Sequence, residues 1–309
     1  MIDIELIQSI IVYGAISGGM YALLALGFTL IYGVSDVINL AHGSLFMIGT
    51  YIFFVLATPY GGIQIGLLPA LILAAILVAV IGAVTFRLTV HPVIGDPLSI
   101  MVVTISLAMI IQESMVLGFG SYRQPVPSLA EGLATIWGVK VTYSKILALV
   151  VSLALFAVLM MFVTKTKIGR AMRAVSQDRE VAMLMGINTE MLYILTMGIS
   201  ASLAAVAGML ITSSTAGVTY PHIWPTQLYL SFAVVILGGL GSIKGSLVGA
   251  FIISYVENTF VFAIDPIIAD ILNFPVGGSL SGAVIMATML LVILVRPKGL
   301  FGKRVELEE

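Results

Sequence analysis

The sequence predicts an all-α, polytopic integral membrane protein with about 8–9 transmembrane helices, some of them broken or re-entrant, in a single domain over residues 1–309. The first reason is composition, because 60% of the residues are hydrophobic and only 9% are charged, against roughly 25% charged in soluble domains. The second is the recurrence of apolar runs along the chain. The third is a glycine-rich interruption in each half, which predicts an internal inverted repeat of discontinuous helices.

Six apolar runs are long enough to cross a bilayer, which takes about 20 residues of helix. Two further regions are less regular: residues 44–57 are short, and residues 228–262 are long with a glycine-rich break in the middle. The six long runs cover about residues 7–33, 66–86, 98–118, 144–164, 191–213 and 279–295.

Lysine and arginine predict the orientation, because cytoplasmic loops are enriched in them. Arg87, the basic cluster at 165–179 and the tail at 296–304 are therefore expected in the cytoplasm. The spans between them fit only if 228–262 enters and leaves on one side, as two helices or a re-entrant hairpin. The N-terminus, with no lysine or arginine before position 87, is then outside and the C-terminus cytoplasmic. External loops are expected at about 119–143, 214–226 and 263–278.

Two interrupted segments, Tyr32–Gly49 and Leu237–Gly249, indicate a translocation pathway. Irregular backbone at membrane depth is tolerated only inside protein or beside a water-filled cavity, and paired interruptions are typical of sites built from discontinuous helices. The residues expected to line or gate the pathway are Asn39, His42, Gly43, Ser44, Gly238, Gly239, Gly241, Ser242 and Gly245.

Simpler explanations stay open for several of these residues. Asp36 fits a short polar turn at the membrane surface, and Lys244 fits an exposed hairpin tip. Packing alone would explain most of the 31 glycines, since Gly14/Gly18, Gly245/Gly249 and Gly278/Gly282 form GxxxG pairs that allow helices to approach closely.

Two acids fall within apolar regions, where ionisable groups are functional candidates. Glu113 lies in the run at 98–118, next to Gln112, and is either neutral or paired within the bundle. Glu257 lies near the outer end of the 228–262 region, next to Asn258. The sequence leaves the roles of both acids open.

The one long polar segment is Lys165–Glu190, which contains five of the fourteen basic residues within fifteen positions. A basic segment between two spans is a cytoplasmic loop. Its helix-forming composition predicts an ordered helix on which a partner docks, whereas the open alternative is a solvated loop without a partner.

Several classes of protein are excluded. The chain has no cysteine and a net charge of −1, which argues against a disulfide framework and a nucleic-acid partner. The string GGLGSIKGS is not a phosphate-binding loop, and the three histidines have no metal-ligand spacing. We therefore expect no catalytic and no metal-ligating residues. The N-terminal MIDIELIQSI lacks a basic region and is expected to be retained.

Four segments resemble one known family. They are GGMYALLALGFTLIYGVSDVINLAHGSLFMIGTY, GRAMRAVSQDREVAMLMGIN, GGLGSIKGSLVGAF and VRPKGLFG. In this order they look like the membrane permease subunit of branched-chain amino-acid ABC importers, of the LivH type. The resemblance runs from about Ile11 to Gly302. Relatives in this family import other small solutes, such as urea, amides or aromatic acids.

The resemblance implies a set of partners: a second, homologous permease, two cytoplasmic ATPases that bind ATP and magnesium, and an extracytoplasmic solute-binding protein. It implies the cytoplasmic (inner) membrane of a prokaryote, and no cofactor in this chain. A short helix within 174–186 would lie in a groove of the ATPase. The residues implied in this coupling are Gln177, Asp178, Arg179, Glu180, Val181, Ala182, Leu184, Met185 and Gly186.

The expected function is therefore that of a permease driven by ATP hydrolysis in partner subunits, moving branched-chain or related small amphipathic amino acids. The glutamate–alanine–alanine core of the family's coupling helix is only loosely kept, as Glu180, Val181 and Ala182. A passive channel or a secondary transporter is the main rival, and an intramembrane enzyme would need a catalytic pair that the sequence lacks. The exact solute, and whether the pore pairs two identical or two different chains, stay open.

Overall fold

The computed structural model describes residues 4–272 and 280–302, and this part of the chain is mostly helical. Six helices are long and apolar enough to cross a membrane, and three shorter apolar helices accompany them. The predicted all-α membrane class is confirmed. The helices are α1 (Ile4–Ser35), α2 (His42–Ala57), α3 (Leu67–Thr85), α4 (Pro97–Phe119), α5 (Tyr143–Lys165), α6 (Lys167–Val175), α7 (Arg179–Leu184), α8 (Thr189–Ile211), α9 (Trp224–Gly238), α10 (Ile243–Thr259), α11 (Asp265–Leu272) and α12 (Ser281–Val295).

Helical turns of irregular pitch extend three of these helices. Wider π turns follow α3 at Phe86–Val90, α8 at Thr212–Ala216 and α10 at Phe260–Ile264. Short 3-10 turns lie at Pro59–Gly61 and His91–Val93. Because π turns are rare and frequently occur at functional sites, the ends of α8 and α10 are of particular interest.

Two small antiparallel sheets lie in the predicted external loops. Strand β1 (Gln124–Pro125) pairs with β4 (Val218–Thr219), which joins the loop after α4 to the loop after α8. Strands β2 (Leu133–Ile136) and β3 (Val139–Thr142) form a hairpin. Its two turn residues, Trp137 and Gly138, have φ angles of 49° and 80°, as the commonest two-residue hairpin turn requires.

The side of the molecule that carries these strands is here named the strand face. The start of α1 lies on it, because the Tyr13 hydroxyl donates to the Lys140 carbonyl at 2.8 Å. The Phe262 ring stacks on Tyr13 with centroids 5.4 Å apart, so the turn after α10 lies there too. The described parts of the predicted external loops thus share one face. Residues 273–279, which include the end of the third loop, lie outside the described residues.

The opposite side carries α6 and α7 and is here named the α6–α7 face. His91, after α3, approaches Glu190 at the start of α8, with Nε2 and Oε1 3.9 Å apart. Gly241, between α9 and α10, lies against Gly33 near the end of α1. The segments predicted to be cytoplasmic therefore lie on a common face, and the side of the membrane that this face occupies stays a prediction.

Helix α1 is the central element, packed against α5, α8, α9 and α10. Its glycines admit large side chains from α10: the Tyr255 ring lies against Gly14 and the Phe251 ring against Gly18. The Ser254 hydroxyl donates to the Gly14 carbonyl at 2.8 Å. Close approach at small residues, supplemented by hydroxyl hydrogen bonds, is how helices associate in lipid.

The region 228–262 consists of two helices, α9 and α10, joined by a tight turn at 239–242 on the α6–α7 face. The prediction that this region is two helices or a re-entrant hairpin, and not one long span, is thus confirmed. Gly239 and Gly241 have φ angles of 101° and 78°, which favour glycine. Ser242 caps α10, because its hydroxyl accepts from the Gly245 amide at 3.1 Å.

The C-terminal segment packs on this turn. The Leu300 amide donates to the Leu237 carbonyl at 2.9 Å, and the Phe301 amide donates to the Gly238 carbonyl at 3.0 Å. These bonds satisfy two carbonyls at the end of α9 that have no partner within the helix. The tail therefore holds the α9–α10 turn closed.

Candidate coupling surface and transport pathway

The polar segment between α5 and α8, for which the sequence predicts an ordered helix, folds as two short helices, α6 and α7. Thr166 caps α6, since its hydroxyl accepts from the Gly169 amide at 3.0 Å. Asp178 caps α7 in the same way, with its carboxylate 3.0 Å from the Val181 amide. Side-chain caps of this kind satisfy free amides and fix where a helix begins.

Gly186, one of the residues implied in coupling, follows the end of α7. Its φ angle is 82°, and its amide donates to the Met183 carbonyl at 3.0 Å while the Ile187 amide donates to the Ala182 carbonyl at 3.1 Å. This pair of bonds is the Schellman motif, in which a left-handed glycine closes a helix.

The outer surface of α7 is apolar at its centre. Leu184 and Met185 are 86% and 79% exposed, and Val181 and Met183 are about half exposed. Ala182, predicted on the docking surface, is only 4% exposed and packs into the core, because one side of α7 packs against α6 and α8. Met183 takes its place on the outer surface. The remaining predicted coupling residues, Gln177, Asp178, Arg179, Glu180 and Gly186, are all exposed.

Most of the first interrupted segment lies inside the protein, whereas Asp36 is exposed. Helix α1 ends at Ser35, Asp36 has a left-handed φ angle of 53°, and α2 begins at His42. The chain between them is satisfied by side chains: the Thr104 hydroxyl accepts from the Leu40 amide at 3.2 Å, and the Asn39 carboxamide oxygen accepts from the Ala41 amide at 3.0 Å. Irregular backbone at this depth is therefore stabilised by protein.

Asn39 and His42 are buried at 1% and 0% exposure. The Asn39 amide nitrogen lies 3.5 Å from the Met197 sulfur on α8, and the His42 Nε2 lies 3.0 Å from the Leu24 carbonyl on α1. The other His42 ring nitrogen, Nδ1, is buried without a hydrogen-bond partner. The break thus places polar groups between α1 and α8.

The predicted pathway residues fall into two separate groups. Asn39, His42, Gly43 and Ser44 lie at the start of α2, whereas Gly238, Gly239, Gly241, Ser242 and Gly245 lie at the α9–α10 turn. Measured along α1, the first group meets Leu24 and the second meets Gly33, which is roughly 14 Å apart at 1.5 Å per residue. Added side chains at Gly238 or Gly245 would meet the backbone of the other glycine, so the second group has a clear packing function.

A polar cavity that the sequence did not reveal lies on the strand face. It has a volume of about 380 Å³ and is lined by α1, α5, α10 and the π turns after α8 and α10. Glu257 lines it, and its Oε2 accepts from the Tyr21 hydroxyl at 2.8 Å. Lys145 and Thr215 line it as well. Glu257 stood out as an acid in an apolar region, but Tyr21 is 236 positions away and nothing in the sequence pairs the two.

Glu113 has a different environment. It is exposed on α4, and its carboxylate accepts from the neighbouring Gln112 amide at 3.0 Å. The Gln112 oxygen in turn accepts from the Trp224 indole at 2.6 Å. Glu113 therefore faces outward from the described helices.

Comparison with known proteins shows the family to which this chain is similar. A family model described as "Branched-chain amino acid transport system / permease component" matches residues 10–293. The chain belongs to this family. The permease family thus accounts for nearly all of the described helices, from α1 to α12.

Individual relatives cover the chain almost end to end. The high-affinity branched-chain amino acid transport system permease protein BraD of Pseudomonas aeruginosa is 31% identical over 304 residues, 95% of each chain. The protein LivH of Escherichia coli K12, named in the same way, is 31% identical over 303 residues, 94% of each chain. A probable branched-chain amino acid transport permease protein LivH of Methanocaldococcus jannaschii is 28% identical over 311 residues, 96% of this chain and 94% of its own. No solved structure matches the chain.

Proposed function

We propose that this chain is the membrane-spanning subunit of an ATP-driven importer of branched-chain amino acids. The observation that carries the proposal is the permease family match over residues 10–293. The names of relatives that align over 94–95% of both chains support the solute class. The chain would lie in the cytoplasmic membrane of a prokaryote, with the strand face outside and the α6–α7 face in the cytoplasm.

The proposed partners supply what this chain lacks. Two cytoplasmic ATPases bind ATP and magnesium and perform the hydrolysis, so the permease itself catalyses no reaction. A second, homologous permease completes the pore, and an extracytoplasmic binding protein delivers the solute. Support for an ATPase partner comes from α7, whose Leu184 and Met185 are 86% and 79% exposed although they lie in a polar loop, where water would otherwise meet them.

Motion of α7 would reach the spans on both sides of it. Thr166 alone separates α5 from α6, and the closed turn at Gly186 leads directly into α8. The Arg179 guanidinium lies 5.6 Å from the centre of the Tyr193 ring on α8, a cation–π contact that adds a second connection. A displacement of α7 by the ATPase therefore pulls on α5 and α8 together.

The moving helix α8 holds the buried break closed. Its Ser200 hydroxyl donates to the Gly27 carbonyl of α1 at 2.7 Å, and its Met197 contacts Asn39. A shift of α8 against α1 would break both contacts and open a path beside His42. Two states of this packing, one favoured by nucleotide, would give alternating access.

The test is uptake of radiolabelled leucine into proteoliposomes that contain the permease with its partner subunits. We expect uptake to need ATP, magnesium and the binding protein, and leucine, isoleucine and valine to compete for it. Uptake at full rate without hydrolysable nucleotide would contradict the proposal and favour a channel or secondary transporter. Competition by urea, acetamide or benzoate in place of leucine would reassign the solute.

A further inference from the structure

The cavity on the strand face is lined by one acidic and one basic side chain. Glu257 and Lys145 both line it, together with the exposed Thr215 at its edge. The acid is held by the Tyr21 hydroxyl at 2.8 Å. The base lies over the Tyr13 ring, with Nζ 4.5 Å from the ring centre. Each charged group thus has an aromatic partner from α1.

The two charges do not pair with each other. In the part of the chain that the structure describes, the one ion pair within 4 Å joins His91 to Glu190 on the opposite face. Ionisable groups within membrane-embedded regions normally pair with one another, because leaving a charge unpaired there is costly. An acid and a base that face one cavity without meeting would suit a ligand that carries both opposite charges.

Much of the remaining cavity wall is apolar, although Ser17 and Asn258 also line it. Ile16 and Met20 of α1 and Val261 and Phe262 of the π turn after α10 line it. Its volume of about 380 Å³ falls within the range of roughly 300–1,000 Å³ for small-molecule sites, which are mostly apolar with a few polar groups that fix orientation. An aliphatic side chain fits this wall.

A second cavity extends the site. It has a volume of about 260 Å³ and shares Tyr21, Thr215 and Glu257 with the first. Its wall includes Gln227, whose side-chain oxygen is buried without a hydrogen-bond partner. Glu257 therefore stands between two cavities, and the two π turns after α8 and α10 both contribute to this region.

We infer that the strand-face cavity binds a zwitterionic aliphatic α-amino acid, with the ammonium group on Glu257 and the carboxylate on Lys145. This inference rests on the proposed function and adds to it a recognition site within the permease itself. The aliphatic side chain of the solute lies against Ile16, Met20 and Phe262. A solute that lacks either charged group leaves one of the two charged side chains without a counter-ion.

The absence of cysteine from the chain permits a direct test. Thr215→Cys places a single thiol at the cavity edge, and Thr135→Cys places one on the exposed strand β2 of the same face as a reference. The rate of maleimide labelling is measured on the complete complex, without binding protein or nucleotide. We expect leucine to slow labelling at position 215 and to leave position 135 unaffected.

Three ligands separate the two charges. Leucinamide keeps the ammonium group and lacks the carboxylate, and 4-methylpentanoate keeps the carboxylate and lacks the ammonium group. In the parent protein both should need at least tenfold higher concentrations than leucine for half-protection. Glu257→Gln should abolish the advantage of leucine over 4-methylpentanoate, and Lys145→Gln its advantage over leucinamide.

Matched controls make the result decisive. Glu131→Gln and Lys140→Gln are the same exchanges at exposed positions of the strand face and should keep the parent's leucine protection. An unliganded labelling rate equal to that of the parent shows that a variant is folded, and Tyr21→Phe, which keeps the ring and loses the hydrogen bond to Glu257, should weaken protection. Equal protection by leucine in the parent and both charge variants overturns the inference.

The two proposals fail in different ways. Leucine protection without ATP-driven leucine uptake would overturn the proposed function and support the binding site. Uptake that proceeds normally while leucine protects neither position in the parent would overturn the site and leave the proposed function intact.

Discussion

At the residue scale, the end of α7 depends on one backbone conformation. Gly186 has a φ angle of 82°, with nothing within 4 Å of where a Cβ would lie. A side chain there would meet no clash and only backbone strain. The left-handed conformation costs an L-residue about 1–2 kcal/mol, so the effect of a substitution can be read as strain alone.

Gly186→Ala should therefore loosen the last turn of α7 and lower ATP-driven uptake, by up to about tenfold for 1.4 kcal/mol, with membrane insertion unchanged. The measurement is uptake per inserted complex. Gly62→Ala is the matched control, because Gly62 has a φ angle of 71° and equally open space but lies in the loop after α2. Equal losses of ATP-driven uptake in the two variants would contradict a specific role of α7 in coupling.

Single residues also show where the sequence sufficed. Gly186 could be predicted because a glycine after a short helix is a local signal. The burial of Ala182 could not be predicted, because the side of α7 that turns inward is decided by its packing on α6 and α8. The pairing of Tyr21 with Glu257 likewise depends on two helices at opposite ends of the chain, and a single sequence carries no signal of such a contact.

At the scale of elements, α7 presents its apolar residues outward. Burying a leucine in a partner groove is worth about 1.5–3 kcal/mol. Leu184→Ala should therefore weaken ATPase binding by about 10- to 100-fold at 1.4 kcal/mol per tenfold change, as measured by titrating purified ATPase against the permease. Leu117→Ala is the control, since Leu117 is 89% exposed on α4 and Leu184 is 86% exposed. An unchanged affinity in Leu184→Ala would contradict docking at α7.

The α9–α10 turn offers a second contrast between elements. A side chain at Gly239 would meet the backbone of Phe301 and Gly302, whereas one at Gly241 lies 3.4 Å from Gly33. Both positions carry a positive φ angle, so alanine strains both. Gly239→Ala should lower the thermal unfolding temperature further than Gly241→Ala, and it should make the tail more sensitive to protease. The reverse order would show that the tail does not hold the turn.

The elements themselves were largely predictable. Long apolar runs specify spans because lipid demands helices whose backbone groups are satisfied internally, and α1, α3, α4, α5 and α8 follow the predicted runs closely. How deeply the break between α1 and α2 is buried was harder to predict from the sequence. It depends on Thr104 and Asn39 satisfying the amides of Leu40 and Ala41, and such contacts arise only after the helices have packed.

At the scale of the whole molecule, the two faces predict opposite exposure. Thr135→Cys lies on the strand face and Gln177→Cys on the α6–α7 face, and both positions are exposed. A membrane-impermeant maleimide applied to intact cells should label the first within minutes and the second only after the membrane is opened. Labelling of Gln177→Cys in intact cells would reverse the proposed orientation.

The arrangement of the loops on two opposite faces explains which predictions about the whole molecule could be made from the sequence. Clustering of lysine and arginine sorted the loops into two groups, and the contacts of Tyr13 with Lys140 and of Gly33 with Gly241 place each group on its own face. The predicted inverted repeat stays a prediction. The distance between the break before α2 and the α9–α10 turn could not be predicted from the sequence, because it is set by how both segments pack on α1.

The central position of α1 has a consequence for biosynthesis. The hydrogen-bond partner of its Gly14 carbonyl is the Ser254 hydroxyl, 240 residues later in the chain. At about 5–20 residues per second, the ribosome therefore synthesises Ser254 roughly 10–50 s after Gly14. During that interval the glycine-lined groove of α1 faces lipid or the insertion machinery. Nascent chains that stop before α10 would keep this groove exposed, and we expect membrane quality control to recognise unfinished copies by it.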